Sequence, residues 1–199
     1  MGPTDNRRLA INSLRKRKVF LKGEKIFLSP LVKQDIPKWH NWFNDQDVTE
    51  YMQKGVFPNT VQKQKEFFEN LYKDTSSLQL GIIHARKSEL VGIIGLHKID
   101  FVHRNADISI MIGEKVYYGK GLGAEALSLI IKHAFHKLNL IKLTGGMIST
   151  NTTTKKLFVK CGFKREGTFR NQFIYKGTPV DVYKYGLMLE DWLKKVNKV

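Results

Sequence analysis

Tyr118-Gly119-Lys120-Gly121-Leu122-Gly123-Ala124-Glu125 stands between a stretch of two-residue alternation and a long stretch of helical spacing, and its reading decides the fold. Downstream, Leu127, Ile130, Ile131, Ala134, Phe135 and Leu138 recur at the spacing that puts them on one stripe of a helix. Upstream, Asp107, Ser109 and Met111 alternate with Ile108, Ile110 and Ile112, the period of a strand over Ala106 to Gly113. Glycines ahead of a helix N-terminus let backbone N–H groups converge, and the helix dipole adds partial positive charge there. The segment therefore predicts an anion site that a pyrophosphate fits.

Three loops compete for this description. A dinucleotide-binding fingerprint needs Gly-x-Gly-x-x-Gly after the first strand of a βαβ unit, but position 126 is Ala and the loop lies past mid-chain. A Walker loop needs Gly-Lys-Ser/Thr, which Gly119-Lys120-Gly121 does not supply. A plain tight turn also accounts for three alternating glycines.

Further out, short β-like runs alternate with helical ones from Glu24 onward, the pattern of an α/β or mixed α+β sheet with helices on its faces. Ile26 to Leu31 reads as a strand. Asp35-Ile36-Pro37 starts a helix carrying Trp39, Trp42 and Phe43, which form core or cleft wall. Asn59-Thr60 caps a second helix to about Asp74, with Val61, Phe67, Phe68 and Leu71 on its apolar side. Leu78 to Ala85 and Leu90 to Ile99 flank a polar turn and predict an antiparallel hairpin, and Phe163 to Tyr175 with Thr178 to Leu189 predict another around Lys176-Gly177.

The succession of strand, glycine loop, long helix, strand, Asn151-x-x-Thr154, short helix and Cys161-Gly162-Phe163 resembles the coenzyme A-binding half of the GNAT acetyltransferases. Within that superfamily, Asp107 to Gly167 is most similar to the branch holding ribosomal-protein, spermidine and sugar-amine acetyltransferases. The resemblance covers roughly Glu24 to Trp192. It implies a GNAT fold, with a mixed, mostly antiparallel sheet of about seven strands flanked by helices, and acetyl-coenzyme A as cosubstrate. It further implies that the backbone of Met111 and Ile112 pairs with the pantetheine arm as an added strand. The amides of Gly119, Lys120, Gly121, Leu122, Gly123 and Ala124 would then hold the pyrophosphate, with Lys120 adding charge and Tyr118 at the coenzyme site where the family often has Arg or Gln. Asn151 would hydrogen-bond the coenzyme, cap the following helix, or do both. Thr154 would touch the coenzyme or reinforce that first turn.

The chemistry implied is attack of a neutral amine on a thioester. A backbone donor near Ile112 would stabilise the oxyanion, an effect of about 10²–10³ in rate. Asp107, at the entry to its strand, is the candidate base, and pairing with Arg104 or Lys98 is its structural alternative. Glu125 reads as an acid placed to favour the helix dipole. Where the family often has a tyrosine that protonates the leaving thiolate, this chain has Phe158, so Tyr175 or a water becomes the candidate acid. His97, His103, His133 and His136 carry no convincing metal-ligand pattern, His133 and His136 lying on the polar side of their helix, and no metal is expected.

Composition bounds the rest. The chain has 199 residues with 34 basic against 18 acidic ones, a net charge of +16, enough for one core and a field that attracts polyanions. Arg7, Arg8, Arg15, Lys16, Arg17 and Lys18 precede residue 20 against Asp5 alone, which suggests a basic arm over 1–22 and a single domain over 23–199. The Met1-Gly-Pro-Thr start lacks the Ser or Thr at position 6 that myristoylation wants. With no apolar run of roughly 18 residues and one cysteine, Cys161, read as a buried thiol, the expectation is a cytoplasmic protein without membrane attachment. For the acceptor, an amino sugar or nucleotide-linked amino sugar is favoured over a protein N-terminus. Both are less basic than lysine, whose pKa is about 10.4 against roughly 7.7–8.0 for an α-amine. A polycation would be repelled. The rival from another class is a non-catalytic RNA- or ribosome-associated module, which lacks the usual aromatic-glycine signatures. The final hairpin is a candidate for pairing across a homodimer.

Overall fold

The protein was analysed as a computed structural model that describes residues 17–197. Residues 1–16 of the expected arm lie outside these. Its remainder is packed on the domain. Arg17 Nη1 donates to Asp35 Oδ2 at 3.1 Å, both side chains being buried, and Leu21–Lys22 forms β1.

Ile26–Pro30 (β2) follows, then Ile36–Asn44 (α1), Gln46–Thr49 (α2) and Val61–Leu71 (α3). Pro37 sits in the first turn of α1, where a missing N–H costs nothing. The Asp45 carboxylate caps α2 by accepting from Asp47 N at 2.9 Å, and Thr60 Oγ1 caps α3 by accepting from Lys63 N at 3.2 Å. The apolar side expected for α3 is only partly right, because Val61 is exposed and Gln64 is buried, its amide oxygen accepting from Asn59 Nδ2 at 2.7 Å. Gln64, Phe68 and Leu71 share the inward stripe, whereas Val61, the first residue of the helix, and Phe67 are exposed.

Leu78–His84 (β3), Leu90–Asp100 (β4) and Asn105–Ile112 (β5) form an antiparallel meander. Leu122–His136 (α4) crosses to Lys142–Ile148 (β6), which therefore runs parallel to β5. Thr152–Cys161 (α5), Lys164–Tyr175 (β7), Thr178–Met188 (β8) and Leu189–Val196 (α6) complete the chain. Lys176 and Gly177 both have positive φ, 48° and 79°, as a two-residue turn between right-twisted strands requires. The strand order is β1-β2-β3-β4-β5-β6-β8-β7, so the sheet has eight strands. The strand beyond the expected seven is β1, whose two residues are too few to show alternation.

Each face of the sheet buries its own cluster. One packs Leu127, Ile130, Ile131 and Phe135 of α4, with Trp192 of α6, on Ile82, Ile94, Leu96 and Ile108. The other packs Trp39, Trp42 and Phe43 of α1 on Ile83, Ile93 and Met111. The dry α4 stripe accounts for its helix, since each fully buried aliphatic side chain contributes about 1.5–3 kcal/mol. Cys161 is free and buried, and burial pushes its thiol pKa up. Among the described residues no helix is long and apolar enough to cross a membrane.

Candidate active site

Strands β5 and β6 pair only over Asn105–Asp107 and Lys142–Thr144. Both then continue, to Ile112 and to Ile148, without a ladder between them. The result is a wedge in the centre of the sheet. Gly113 N donates to Val91 O at 2.9 Å, which fixes the phase of the β4–β5 ladder. By alternation, the N–H and C=O of Met111 face β4, while those of Ile112 and Ile110 face the wedge. Of the two residues expected to pair with an extended arm, Ile112 offers its backbone and Met111 contributes a buried side chain to the α1 cluster. Trp42 fixes the end of β5, since any side chain at Gly113 would sit inside its indole ring.

The glycine loop caps the wedge. Gly119 and Gly121 adopt φ of +71° and +81°, and Gly121 is the N-cap of α4. A Cβ at Gly119 would meet nothing within 4 Å, so the loop is open on the side that this Cβ would face. The Leu122 side chain is buried, while Gly123 and Ala124 lie partly open in the first turn of α4. Tyr118 is half exposed on the approach to the loop, but its N–H donates to Lys115 O at 3.0 Å and that of Lys120 to Tyr117 O at 3.4 Å, which leaves the amides of Gly119, Gly121, Leu122, Gly123 and Ala124 for an anion. Three cations flank it. Lys120 Nζ and Lys87 Nζ lie 5.3 and 5.4 Å from the Tyr117 ring centre, and Lys25 Nζ lies 4.0 Å from where a Gly121 Cβ would be. Glu125 stands in the first turn of α4, where the helix dipole favours an acid, and its carboxylate has a further use. It accepts from the backbone N–H of Glu24 and of Lys25, the latter at 3.0 Å, and so staples α4 to the β1–β2 turn. Across the wedge, Asn151 Oδ1 accepts from Thr154 N at 3.0 Å, the helix-capping role foreseen for both residues. The open amides, left-handed glycines and flanking lysines fit a diphosphate, and the unpaired edge of β5 fits an amide-bearing arm.

On the other side the wedge opens into a cavity of about 350 Å³ whose lining includes Tyr51, His97, Asp107, Ser109, Phe173 and Lys184. Asp107 lies there as expected, but Thr144 Oγ1 donates to its Oδ1, and Lys98 Nζ stands 4.0 Å from its Oδ2. Arg104, the other anticipated partner, instead donates to Asn139 O at 2.7 Å. Tyr175 is used differently from the role proposed for it. Its hydroxyl donates to Glu50 Oε1 at 2.6 Å, its ring stacks on Tyr51 with centres 5.6 Å apart, and Lys176 Nζ lies 2.9 Å from the same carboxylate oxygen. This clasp joins the β7–β8 tip to the end of α2 at the cavity rim. The Tyr175 bond and then Lys176 hold the Glu50 pKa below its ordinary value, and the Tyr51 phenol is pushed up to about 12, chiefly by its hydrogen bond with Tyr175. Phe158 is 2% exposed, packed on Phe163 and Tyr185, with its ring tip against Gly145. It offers no proton. Among the described residues no group of three His, Cys, Asp or Glu side chains is arranged to hold a metal ion.

Three of these residues escaped sequence reasoning: Lys25 reaches the loop across about a hundred residues of chain, Tyr51 comes from an irregular segment, and His97 reads in the sequence only as a metal ligand. Lys184 belongs to the final hairpin, whose aromatic and basic residues are sequence candidates for an acceptor cleft, and Lys184 and Phe173 are the two of them that line the cavity.

Comparison with known proteins agrees with this geometry. A family model described as acetyltransferase (GNAT) domain matches residues 25–164. The chain is 23% identical over 173 residues to a spermidine N(1)-acetyltransferase of Vibrio cholerae, covering 87% of this chain and 98% of that one. It is 29% identical over 121 residues to the putative ribosomal N-acetyltransferase YdaF of Bacillus subtilis, covering 61% and 64%. The crystal structure of spermidine N-acetyltransferase from Vibrio cholerae in complex with CoA and spermine shares the fold, with a TM-score of 0.79 at 23% identity over 86% of this chain and 99% of that one. With the wedge, the glycine loop and the family match in agreement, this chain belongs to the GNAT acetyltransferases.

Proposed function

We propose that this N-acetyltransferase moves the acetyl group of acetyl-coenzyme A onto a primary amine carried by a small anionic molecule, an amino-sugar phosphate or nucleotide-linked amino sugar. The observation that carries the reading is Lys184. Its ammonium reaches over Gly146 into the cavity, where a Cβ on that glycine would stand 3.4 Å from Nζ. Among the described residues Lys184 makes no ion pair. Among the described residues Asp107 is the only carboxylate lining the cavity, and the protein carries a net charge of +16. A polycation meets repulsion in such a site, whereas a phosphate gains a partner.

The chain's own groups would act as follows. Amides of the glycine loop, with Lys25 and Lys120, hold the diphosphate of the donor. The edge of β5 at Ile110 and Ile112 holds the arm and presents an N–H to the oxygen that gains charge during attack. When bound, the coenzyme supplies the activated acetyl thioester. Lys184 holds the anionic end of the acceptor, so that the amine points at the wedge.

The test is release of coenzyme A thiol with glucosamine 6-phosphate, spermidine and a short peptide with a free N-terminus. Turnover of the phosphate, and a rise in its KM alone in Lys184→Gln, support the reading. Preference for spermidine would overturn it. A protein N-terminus is the second reading, favoured by the likeness to YdaF and by the low pKa of α-amines, and preference for the peptide would establish it.

A further inference from the structure

An amine that arrives protonated must lose a proton before it has a lone pair to attack with, and the expected base is poorly placed for that work. One oxygen of Asp107 is occupied by the Thr144 hydroxyl and the other faces Lys98. Directly beside it, another pair of groups opens on the same cavity. His97 is the register partner of Asp107 across the β4–β5 ladder, so both side chains leave the same face of the sheet. The imidazole lies along that face over Gly95, where a Cβ would stand 3.1 Å from Nε2, and it reaches Ser109, with Nε2 and Oγ 2.7 Å apart. Ser109 is exposed to the cavity and His97 is half-buried beneath it. The arrangement is a hydroxyl in contact with the acceptor space, backed by an imidazole, with the Asp107 carboxylate beside that ring on the same face of the sheet.

We propose that His97, acting through the Ser109 hydroxyl, accepts the proton that the incoming ammonium must lose. An N–H of the ammonium gives its proton to Ser109 Oγ as the Ser109 proton passes to His97 Nε2, leaving a neutral amine and an imidazolium. The amine nitrogen then bonds to the thioester carbonyl carbon, the C–S bond breaks, and the second amine proton leaves with the thiolate as the thiol. His97 returns its proton to solvent. The charged groups around the ring suit this cycle. Asp107 from β5 and Asp74 from the turn before β3 stabilise the imidazolium, while Lys184 faces it across the cavity from β8. Burial is the largest influence and lowers the His97 pKa despite the two carboxylates, so the ring rests neutral near pH 7. Neutral imidazole is also better matched to that pH than a carboxylate, with ordinary pKa values of about 6.5 and 3.9. Asp107 becomes a positioning residue.

The proposal takes its probes from the anionic-acceptor reading, and two such acceptors separate the steps. Glucosamine 6-phosphate carries an amine that is largely protonated at pH 7, whereas 4-aminophenyl phosphate carries an aniline nitrogen that arrives neutral. His97→Gln, which keeps a partner for Ser109, is expected to lower kcat about 10²-fold with the first and by less than about threefold with the second. It should also move the acid limb of the kcat profile with the first towards the pKa of the amine itself and leave coenzyme A affinity unchanged. Ser109→Ala, an exposed change that does not threaten folding, should slow the same acceptor selectively. Equal slowing of both acceptors, an acid limb unmoved by His97→Gln, or a limb moved by Asp107→Asn but not by His97→Gln would overturn the proposal. If wild-type enzyme turns over propylamine and neither phosphate, the acceptor reading is lost, and the same comparison is made with propylamine and aniline.

Discussion

The two sides of the wedge are built on different principles. The side proposed for the coenzyme is made of backbone: left-handed glycines, the first turn of α4 and the unpaired edge of β5, held in place by a dry helix and the Glu125 staple. The side proposed for the acceptor is made of side chains gathered from four places, with Tyr51 after α2, His97 on β4, Asp107 on β5 and Lys184 on β8. Backbone recognition tolerates side-chain change as long as the dihedral angles survive. Side-chain recognition does not, so one fold keeps its donor while its acceptor changes.

The largest effect expected from breaking this division lies on the coenzyme side. Gly121→Val forces a β-branched residue into φ near +81°, a strain of about 1–3 kcal/mol, and crowds the amides. Coenzyme A affinity should fall about 10- to 100-fold by calorimetry. Lys120→Gln removes a charge and leaves the backbone, so a loss of only a few-fold is expected. On the acceptor side, Lys184→Gln should raise KM for an anionic amine about tenfold, the loss of about 1.4 kcal/mol from one charge-assisted contact, with kcat and coenzyme affinity unchanged.

The smallest effects belong to the rim. Tyr175→Phe removes one hydrogen bond, about 0.5–1.5 kcal/mol at most, and should shift acceptor KM by a few-fold without abolishing turnover. Retained turnover separates a clasp from a proton donor, whose loss would lower kcat by about 10²-fold or more. The clasp has a defined pH window. Because Glu50 is held below its ordinary 4.5, its contribution is fully present above that pH and is lost only as pH falls through the lowered value. Acceptor KM governed by the rim should therefore be flat from neutrality to about pH 5 and rise in stronger acid.

The same division explains what the sequence made legible. The glycine loop, the α4 stripe and the Asn151 cap are local patterns, each written within a dozen residues, and they stand where expected. The Lys176-Gly177 turn was legible for the same reason. The acceptor cavity was not, because its residues come from segments far apart in the chain and meet only through strand register. Only register reveals that His97 lies opposite Asp107 and that Ser109 is within reach of His97. Tyr175 was misread because its partner, Glu50, is 125 residues away. The eighth strand was missed because Leu21–Lys22 carries no period of its own.

The central claim is that the coenzyme is held by backbone groups of the glycine loop and of the open edge of β5. Amide hydrogen exchange with and without coenzyme A tests it most directly. Slowed exchange at Ile110, Ile112 and Gly119 to Ala124, with β7 and β8 unchanged, is the predicted result; protection confined to β7–β8, with those amides unaffected, would contradict it.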